Sequence, residues 1–170
     1  MPRQGLTIGF DPGSRTTGFG VVCFLGRKLE FVDAGAWQSE TVDGPVAERL
    51  AAIDAWVTKL IERFDPERIG VEETFVGMNI QSTLRLGEVR GVILAACGRA
   101  KREVLQLAPA AIKRAIAGNG RADKTQVAFM VKTLLRLGDH AEKQHDVTDA
   151  LAIAITTAWR GGEWEAINAM

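Results

Sequence analysis

The pattern of apolar residues changes its period near residue 46, which limits the chain to folds that combine a sheet with helices. Before that point, three short apolar runs are separated by turn signals at Asp11-Pro12-Gly13-Ser14 and Gly26-Arg27. We predict three antiparallel strands, connected as a meander, at Leu6–Phe10, Thr17–Leu25 and Leu29–Trp37.

After that point, apolar residues recur every three to four positions. Val46–Phe64 has a clear amphipathic stripe, and Asp65-Pro66 predicts its end. Arg68–Glu73 follows as a short strand, which favours parallel pairing with an earlier strand. The other predicted elements are a polar loop at Thr74–Gln81, helices at Ser82–Ala100, Pro109–Ala117, Lys124–Leu137 and Asp146–Arg160, and a strand at Val104–Leu107.

This element order predicts an α/β fold with a mixed five-stranded sheet, three antiparallel strands followed by two parallel ones, and helices on both faces. A chain of 170 residues, 46% apolar and 25% charged, suits one globular domain. We predict a single domain over residues 1–160 and a C-terminal tail over residues 161–170.

The sequence also predicts a soluble cytoplasmic protein. Cys23 and Cys97 are too few for a disulfide framework, which favours a reducing compartment. The first six residues lack the apolar segment of a signal peptide, and the apolar run Val147–Trp159 is too short to span a bilayer.

The net charge of zero conceals an asymmetry along the chain. The segment Leu84–Arg136 holds eleven Lys and Arg against three acidic residues, a balance of +8, so the remaining residues carry −8. A local basic field attracts polyanions, which favours a nucleic acid partner. Basic helix faces that only contact solvent are an equally good interpretation of charge alone.

Four acidic residues lie where a carboxylate is difficult to solvate. Asp11 ends the first strand, Glu72 ends the strand expected to pair with it, and Asp146 and Asp149 project from one face of an apolar helix. Such a cluster is destabilising unless a cation neutralises it. Oxygen ligands favour Mg²⁺ or Mn²⁺ over Zn²⁺, and two such ions about 4 Å apart can promote phosphodiester hydrolysis.

Each carboxylate also has a purely structural interpretation. Asp11 could hold its turn, Glu72 could be a solvated strand end, and Asp146 could cap its helix, with Asp149 favouring the helix N-terminus. The joint placement of all four residues at one end of the sheet favours the catalytic interpretation.

Three segments carry a resemblance to a known family over nearly the whole chain. They are IGFDPGSRTTGFGVV, VEETFVGMNIQSTLRLGEVRGVILAA and DVTDALAIAITTAW. In order and spacing the sequence resembles RuvC-type Holliday junction resolvases, which are dimeric bacterial endonucleases with a ribonuclease H-like fold. The resemblance implies that Asp11, Glu72, Asp146 and Asp149 are the catalytic, metal-binding residues of a two-Mg²⁺ site. It also implies paired symmetric nicks that leave 5′-phosphate and 3′-hydroxyl ends, and partnership with RuvA and RuvB.

Several further residues receive roles from the same resemblance. Lys113 and Lys124 match basic residues near the scissile phosphate, and the position of Lys124 in a first helical turn, mildly unfavourable for a cation, also favours function. Phe75 begins a polar loop where an exposed ring has little structural reason to lie, and the resemblance implies that it stacks on bases at the crossover. Its alternative is packing against the core. The weaker DNA-binding candidates are Met78, Asn79, Gln81, Arg114 and Arg121.

Two positions depart from the family pattern. Glu73 stands where many relatives have Gln, and strand alternation predicts that it faces away from Asp11. Some relatives have His at the position of Asp146, whereas this chain has His145 beside it, which we interpret as a supporting neighbour at most.

The second predicted helix has small residues at four-residue spacing, namely Gly87, Gly91 and Ala95. Packing onto its own sheet is one explanation. The resemblance implies a homodimer contact instead, which would place two active sites on opposite strands of a pseudo-twofold junction.

Three other functions remain open at this level. The Asp-Pro-Gly-Ser motif resembles the phosphate loop of the actin and sugar-kinase superfamily, although those proteins need two lobes. A non-catalytic junction-binding module would not need four carboxylates facing a polyanion. Nucleases of this fold that process RNA are the third alternative.

Overall fold

The computed structural model describes residues 1–38, 44–73, 79–137 and 145–168, and the side chains of residues 145, 146 and 162–168 lie outside that description. The strands are β1 (Arg3–Asp11), β2 (Thr16–Leu25), β3 (Lys28–Gln38), β4 (Pro66–Glu72) and β5 (Glu103–Leu107). The helices are α1 (Val46–Phe64), α2 (Ile80–Arg99), α3 (Pro109–Ala117), α4 (Lys124–Leu135) and α5 (His145–Asn168).

The five strands form one mixed sheet in the order β3-β2-β1-β4-β5. Strands β1, β2 and β3 pair antiparallel, whereas β4 pairs parallel to both β1 and β5. This arrangement confirms the predicted α/β class and the predicted strand directions. Because β1 and β4 are central and parallel, their carboxyl ends meet at the same edge of the sheet.

Helices cover both faces of the sheet, as predicted. On one face, α1 and α2 enclose a core that includes Ile8, Phe10, Ile53 and Ile93. On the other face, the residues that pack with the sheet come from α3, α4 and α5. None of the described helices has the length and hydropathy that a bilayer-spanning segment needs.

Helix α5 lies unusually close to the sheet because three glycines are neighbours across β2, β1 and β4. Gly9 is opposite Gly20 on one side and Gly70 on the other. A Cβ atom on Gly9 would lie 2.5 Å from the Ala150 carbonyl oxygen, and one on Gly20 would lie 2.7 Å from the Leu151 nitrogen. The absence of these Cβ atoms lets the first turns of α5 rest on the strand backbones.

Three predicted helix boundaries differ from the structure by two residues or more. Helix α2 begins at Ile80, so Gln81 lies in the helix, because the Asn79 side chain accepts a hydrogen bond from the Ser82 N–H at 3.2 Å and caps it. Helix α4 ends at Leu135 and not Leu137, because Arg136 adopts a left-handed conformation with φ 53°.

The third difference is at the end of α5, which continues past Arg160 to Asn168. The predicted tail from residue 161 therefore begins as helix. A Cβ on Gly161 would lie 2.5 Å from Arg68 Nε, so this glycine makes room for the buried Arg68 side chain and does not end the helix.

Candidate active site

Asp11 and Glu72 lie side by side at the carboxyl ends of β1 and β4. The pairing of Phe10 with Val71 brings the two strand ends together. Gly9 and Gly70 both face α5, so Asp11 and Glu72, each two residues further along, also project toward α5. The Asp11 side chain lies within hydrogen-bonding reach of the Glu72 carboxyl group, a contact that acts to lower the pKa of Glu72.

Asp149 brings a third carboxylate from the opposite direction. It lies in the first turns of α5, next to Ala150, which contacts Gly9. Burial is the main cause that raises the pKa of Glu72 above its ordinary value, and the negative charge of Asp149 raises it further. The hydrogen bond with Asp11 and the charges of Lys124 and Lys113 act in the opposite direction. Three elements thus bring acidic side chains to one place.

Lys124 is placed by the capping box that begins α4. Asp123 Oδ1 accepts a hydrogen bond from the Gln126 N–H at 2.8 Å, and the Gln126 side chain accepts one from the Asp123 N–H at 3.0 Å. Lys124 Nζ then lies 3.4 Å from Asp149 Oδ2. Lys113, on α3, is close enough for its charge to lower the pKa of Glu72. The two predicted lysines therefore lie beside the carboxylates.

Two residues at or beside the predicted site, Asp146 and His145, are described only in part. The backbone of Asp146 lies in the first turn of α5, three residues before Asp149, but its side chain lies outside the described residues, as does that of His145. The Glu73 N–H donates to the Leu107 carbonyl at 2.9 Å, which continues the pairing with β5. Strand alternation then directs the Glu73 side chain away from the face that holds Asp11 and Glu72.

The predicted DNA-binding residues fall into two groups. Phe75 and Met78 lie outside the described residues. The Asn79 side-chain oxygen caps α2, and Gln81, Arg114 and Arg121 are exposed. The structure therefore leaves the last three side chains accessible to a ligand.

The small residues of α2 face outward. Gly87, Gly91 and Ala95 are exposed, and a Cβ on either glycine would meet no atom within 4 Å. The residues of α2 that pack on the core are Val89, Ile93, Ala96 and Cys97. Packing of the small-residue stripe onto its own sheet is therefore wrong. The same outer face exposes Ile80 and Leu84, at 71% and 63% of their surface.

The donor set agrees with a hard divalent cation. Asp11, Glu72 and Asp149 supply only oxygen ligands, and a partly buried carboxyl group that interacts with two others is a group whose charge such a cation would neutralise. Among the described side chains, no three His, Cys, Asp or Glu form a group that could hold a metal ion. Asp146, the fourth predicted ligand, is not among those side chains.

Sequence reasoning did not single out Arg90 on α2. Its Nε donates to the backbone carbonyl of Glu72 at 3.1 Å, and its terminal nitrogen donates to the Gln106 side chain. Residues 72 and 90 are 18 positions apart, on a strand and a helix, and no spacing pattern in the sequence indicates this contact.

Comparison with known proteins identifies the family to which this sequence is similar. Residues 7–157 match the family model described as crossover junction endodeoxyribonuclease RuvC. The chain is 42% identical over 155 residues to the protein of that name from Mannheimia succiniciproducens, covering 91% of this chain and 76% of that protein.

Two solved structures have a fold similar to that of this chain. The Thermus thermophilus RuvC structure superimposes with a TM-score of 0.84 at 33% identity, covering 93% of this chain and 96% of that one. T. thermophilus RuvC in complex with a Holliday junction substrate gives the same TM-score and identity, covering 93% and 95%.

Proposed function

The chain belongs to the RuvC family of crossover junction endodeoxyribonucleases and is therefore a hydrolytic nuclease that resolves Holliday junctions, and we propose that it cuts with two Mg²⁺ ions in each subunit of a homodimer. The proposed metal-binding and catalytic residues are Asp11, Glu72, Asp146 and Asp149. Family membership decides against the ATPase, non-catalytic and RNA-processing alternatives.

One observation carries the metal proposal: the partly buried carboxyl group of Glu72 interacts with both the Asp11 side chain and the negative charge of Asp149. Bound divalent ions would supply electrostatic stabilisation of the phosphate and a water of lowered pKa. The same oxygen ligands accept Mn²⁺. Glu72 must lose its proton to serve as a ligand, and the charges of Lys113 and Lys124 favour that loss.

Lys113 and Lys124 supply positive charge at the site. Lys124 has 82% of its side chain exposed, so it reaches solvent where a DNA phosphate would approach. We propose that Lys124 and Lys113 contact the scissile phosphate and stabilise negative charge that develops during hydrolysis. Hydrolysis with departure of the 3′ oxygen leaves 5′-phosphate and 3′-hydroxyl ends.

Junction recognition is proposed for residues around this site. Phe75 would stack on bases at the crossover, with Met78, Asn79 and Gln81 beside it, and Arg114 and Arg121 would contact the phosphate backbone. The exposure of the two arginines and of Gln81 supports these roles.

The outward-facing stripe of α2 supports the homodimer. Gly87, Gly91 and Ala95 form a smooth exposed surface on which a second copy could pack closely. A twofold dimer would present two active sites to opposite strands, which gives paired symmetric nicks. Partnership with RuvA and RuvB is supported by family membership.

A cytoplasmic location is proposed from the cysteines. Both Cys23 and Cys97 are free thiols. Burial raises the pKa of the Cys97 thiol to about 12, so it stays protonated and unreactive.

The test is cleavage of a synthetic mobile four-way junction by the purified protein in Mg²⁺. The wild type should make nicks at symmetric positions in two opposing strands, and EDTA should abolish them. Asp11→Asn should bind the junction normally but cut it at least about 100-fold more slowly. Asp54→Asn is the control, because Asp54 pairs with Arg99 on α2, remote in sequence from the strand ends. Junction cleavage by Asp11→Asn at the wild-type rate would refute the metal assignment.

A further inference from the structure

Arg90 joins helix α2 to the backbone of the proposed catalytic residue. Its guanidinium is partly buried, and Nε lies 3.1 Å from the Glu72 carbonyl oxygen. The other end of the group donates to Gln106, which is opposite Val71 in the pairing of β4 with β5. Two hydrogen bonds therefore hold the guanidinium over the last residues of β4.

The Glu72 carbonyl needs this donor because the sheet cannot provide one. Alternate residues of a strand direct their N–H and C=O groups to opposite neighbours, and Glu73 already bonds to Leu107 on β5. The Glu72 carbonyl therefore faces β1. There the register of Phe10 with Val71 places residue 12 as the next donor, and residue 12 is Pro12, which has no N–H.

We propose that Arg90 is a positioning residue for junction cleavage, which takes the place of the missing ladder donor and fixes the backbone from which the Glu72 carboxylate projects. This inference rests on the proposed role of Glu72 as a metal-binding residue. A hydrogen bond from a charged donor to a carbonyl oxygen is stronger than one from a neutral donor. The guanidinium group is therefore suited to fix the backbone conformation at the end of β4. Without it, the Glu72 carbonyl would lack a donor, and the backbone would be held less firmly at the residue whose side chain must meet Asp11 and Asp149.

The central variant is Arg90→Met, which keeps the length of the side chain and removes its donors. Arg90→Lys keeps one charged donor. Arg99→Met is the matched control, because Arg99 lies on the same helix and pairs with Asp54 on α1. Each variant is assayed for junction binding without divalent ions, single-turnover cleavage at saturating protein over a range of Mg²⁺ concentrations, and thermal unfolding.

We expect Arg90→Met to bind the junction as the wild type does, but to cut it about tenfold or more slowly. The Mg²⁺ concentration for half-maximal cleavage should rise, and calorimetric titration of the junction-free protein with Mn²⁺ should show weaker binding. Arg90→Lys should recover most of the rate and of the Mn²⁺ affinity. Arg99→Met should match the wild type in all of these measurements.

Several results would overturn the inference. One is wild-type cleavage and Mn²⁺ binding by Arg90→Met. Another is a loss of stability in Arg90→Met with no change in Mn²⁺ affinity, which would indicate a purely structural role. If Arg90→Met does not fold, Arg90→Lys and Gln106→Leu decide, since both should weaken Mn²⁺ binding moderately and neither effect is expected if Arg90 only packs. Failure of the wild type to cut the junction would instead refute the proposed function itself.

Discussion

Gly9 lies directly beneath Ala150, so close that a Cβ on Gly9 would be 2.5 Å from the Ala150 carbonyl oxygen and equally close to the Ala154 nitrogen. The contact joins the central strand β1 to α5 two residues before Asp11 and one residue after Asp149. The distance between those two carboxylates is therefore set by how closely the helix rests on the strand. A packing feature of the core thus controls the geometry of the site.

Gly9→Ala should damage both stability and cleavage. The added methyl group meets backbone atoms that cannot rotate away, so we expect the free energy of unfolding to fall by about 1–3 kcal/mol. Cleavage should fall further than stability explains, because α5 must move and Asp149 moves with it. Urea denaturation and junction cleavage at a temperature where the variant is folded measure the two effects. Gly98→Ala is the control, since a Cβ there meets no atom within 4 Å, and wild-type stability of Gly9→Ala would contradict the close packing.

Glu72→Gln should stabilise the metal-free protein at neutral pH. The folded-state pKa of Glu72 lies above the ordinary 4.5, chiefly through burial and then through the charge of Asp149. Between the unfolded and folded pKa values the folded state binds more protons, so the Glu72 contribution to the free energy of unfolding falls as pH rises through that window. At pH values above that window, the ionised Glu72 carboxylate destabilises the folded state, so replacing it with Gln should increase the free energy of unfolding.

This gain should disappear below pH 4.5, where Glu72 is protonated in both states. Denaturant melts in EDTA over a pH series measure it. Glu73→Gln is the matched control, because strand alternation directs its side chain to the other face, and it should leave cleavage unchanged while Glu72→Gln abolishes it. A loss of stability in Glu72→Gln at neutral pH would show that Lys113 and Lys124 outweigh burial.

The sequence predicted the elements whose ends are determined by neighbouring residues. It did not predict contacts between residues that are distant in the sequence. The bounds of α1 follow from apolar spacing and the Asp65-Pro66 signal, and the structure confirms them. Gly161 looked like a helix end because glycine usually is one, but here it accommodates Arg68 from a distant strand. Asn79 looked like a loop residue because capping residues and loop residues have the same composition.

The candidate site shows the same division. Asp11, Glu72 and Asp149 were predictable because each carboxylate lies at the end of an apolar element, where it is difficult to solvate, and in the structure Glu72 interacts with both Asp11 and Asp149. Arg90 was not predictable, because it acts on a backbone carbonyl whose usual donor is lost at Pro12. Only the strand register reveals that loss.

Lys124→Gln should slow cleavage without lowering stability. The ion pair with Asp149 is 3.4 Å long and its lysine side chain is 82% exposed, so its contribution to folding is within about 1 kcal/mol. If Lys124 stabilises charge on the scissile phosphate, its loss should reduce the cleavage rate about 100-fold. Lys132→Gln, two turns further along α4, is the control, and the comparison is made in single-turnover reactions. Equal rates for both variants would remove Lys124 from the site.

Gly91→Gln tests whether the smooth face of α2 joins two copies of the chain. Gln favours helix over Gly, and the position is open, so the isolated subunit should gain about 0.5–1 kcal/mol of stability. If the two α2 helices pack closely at this position, the long Gln side chain should nevertheless separate the subunits. Sedimentation velocity would then show a monomer. A plasmid that extrudes a cruciform would then be nicked once and not linearised, because the two active sites no longer act on the same junction. Arg85→Gln places the same side chain at an exposed position of the same helix, about a third of a turn away from the stripe, and should remain dimeric. A dimeric Gly91→Gln that still linearises the plasmid would place the interface elsewhere.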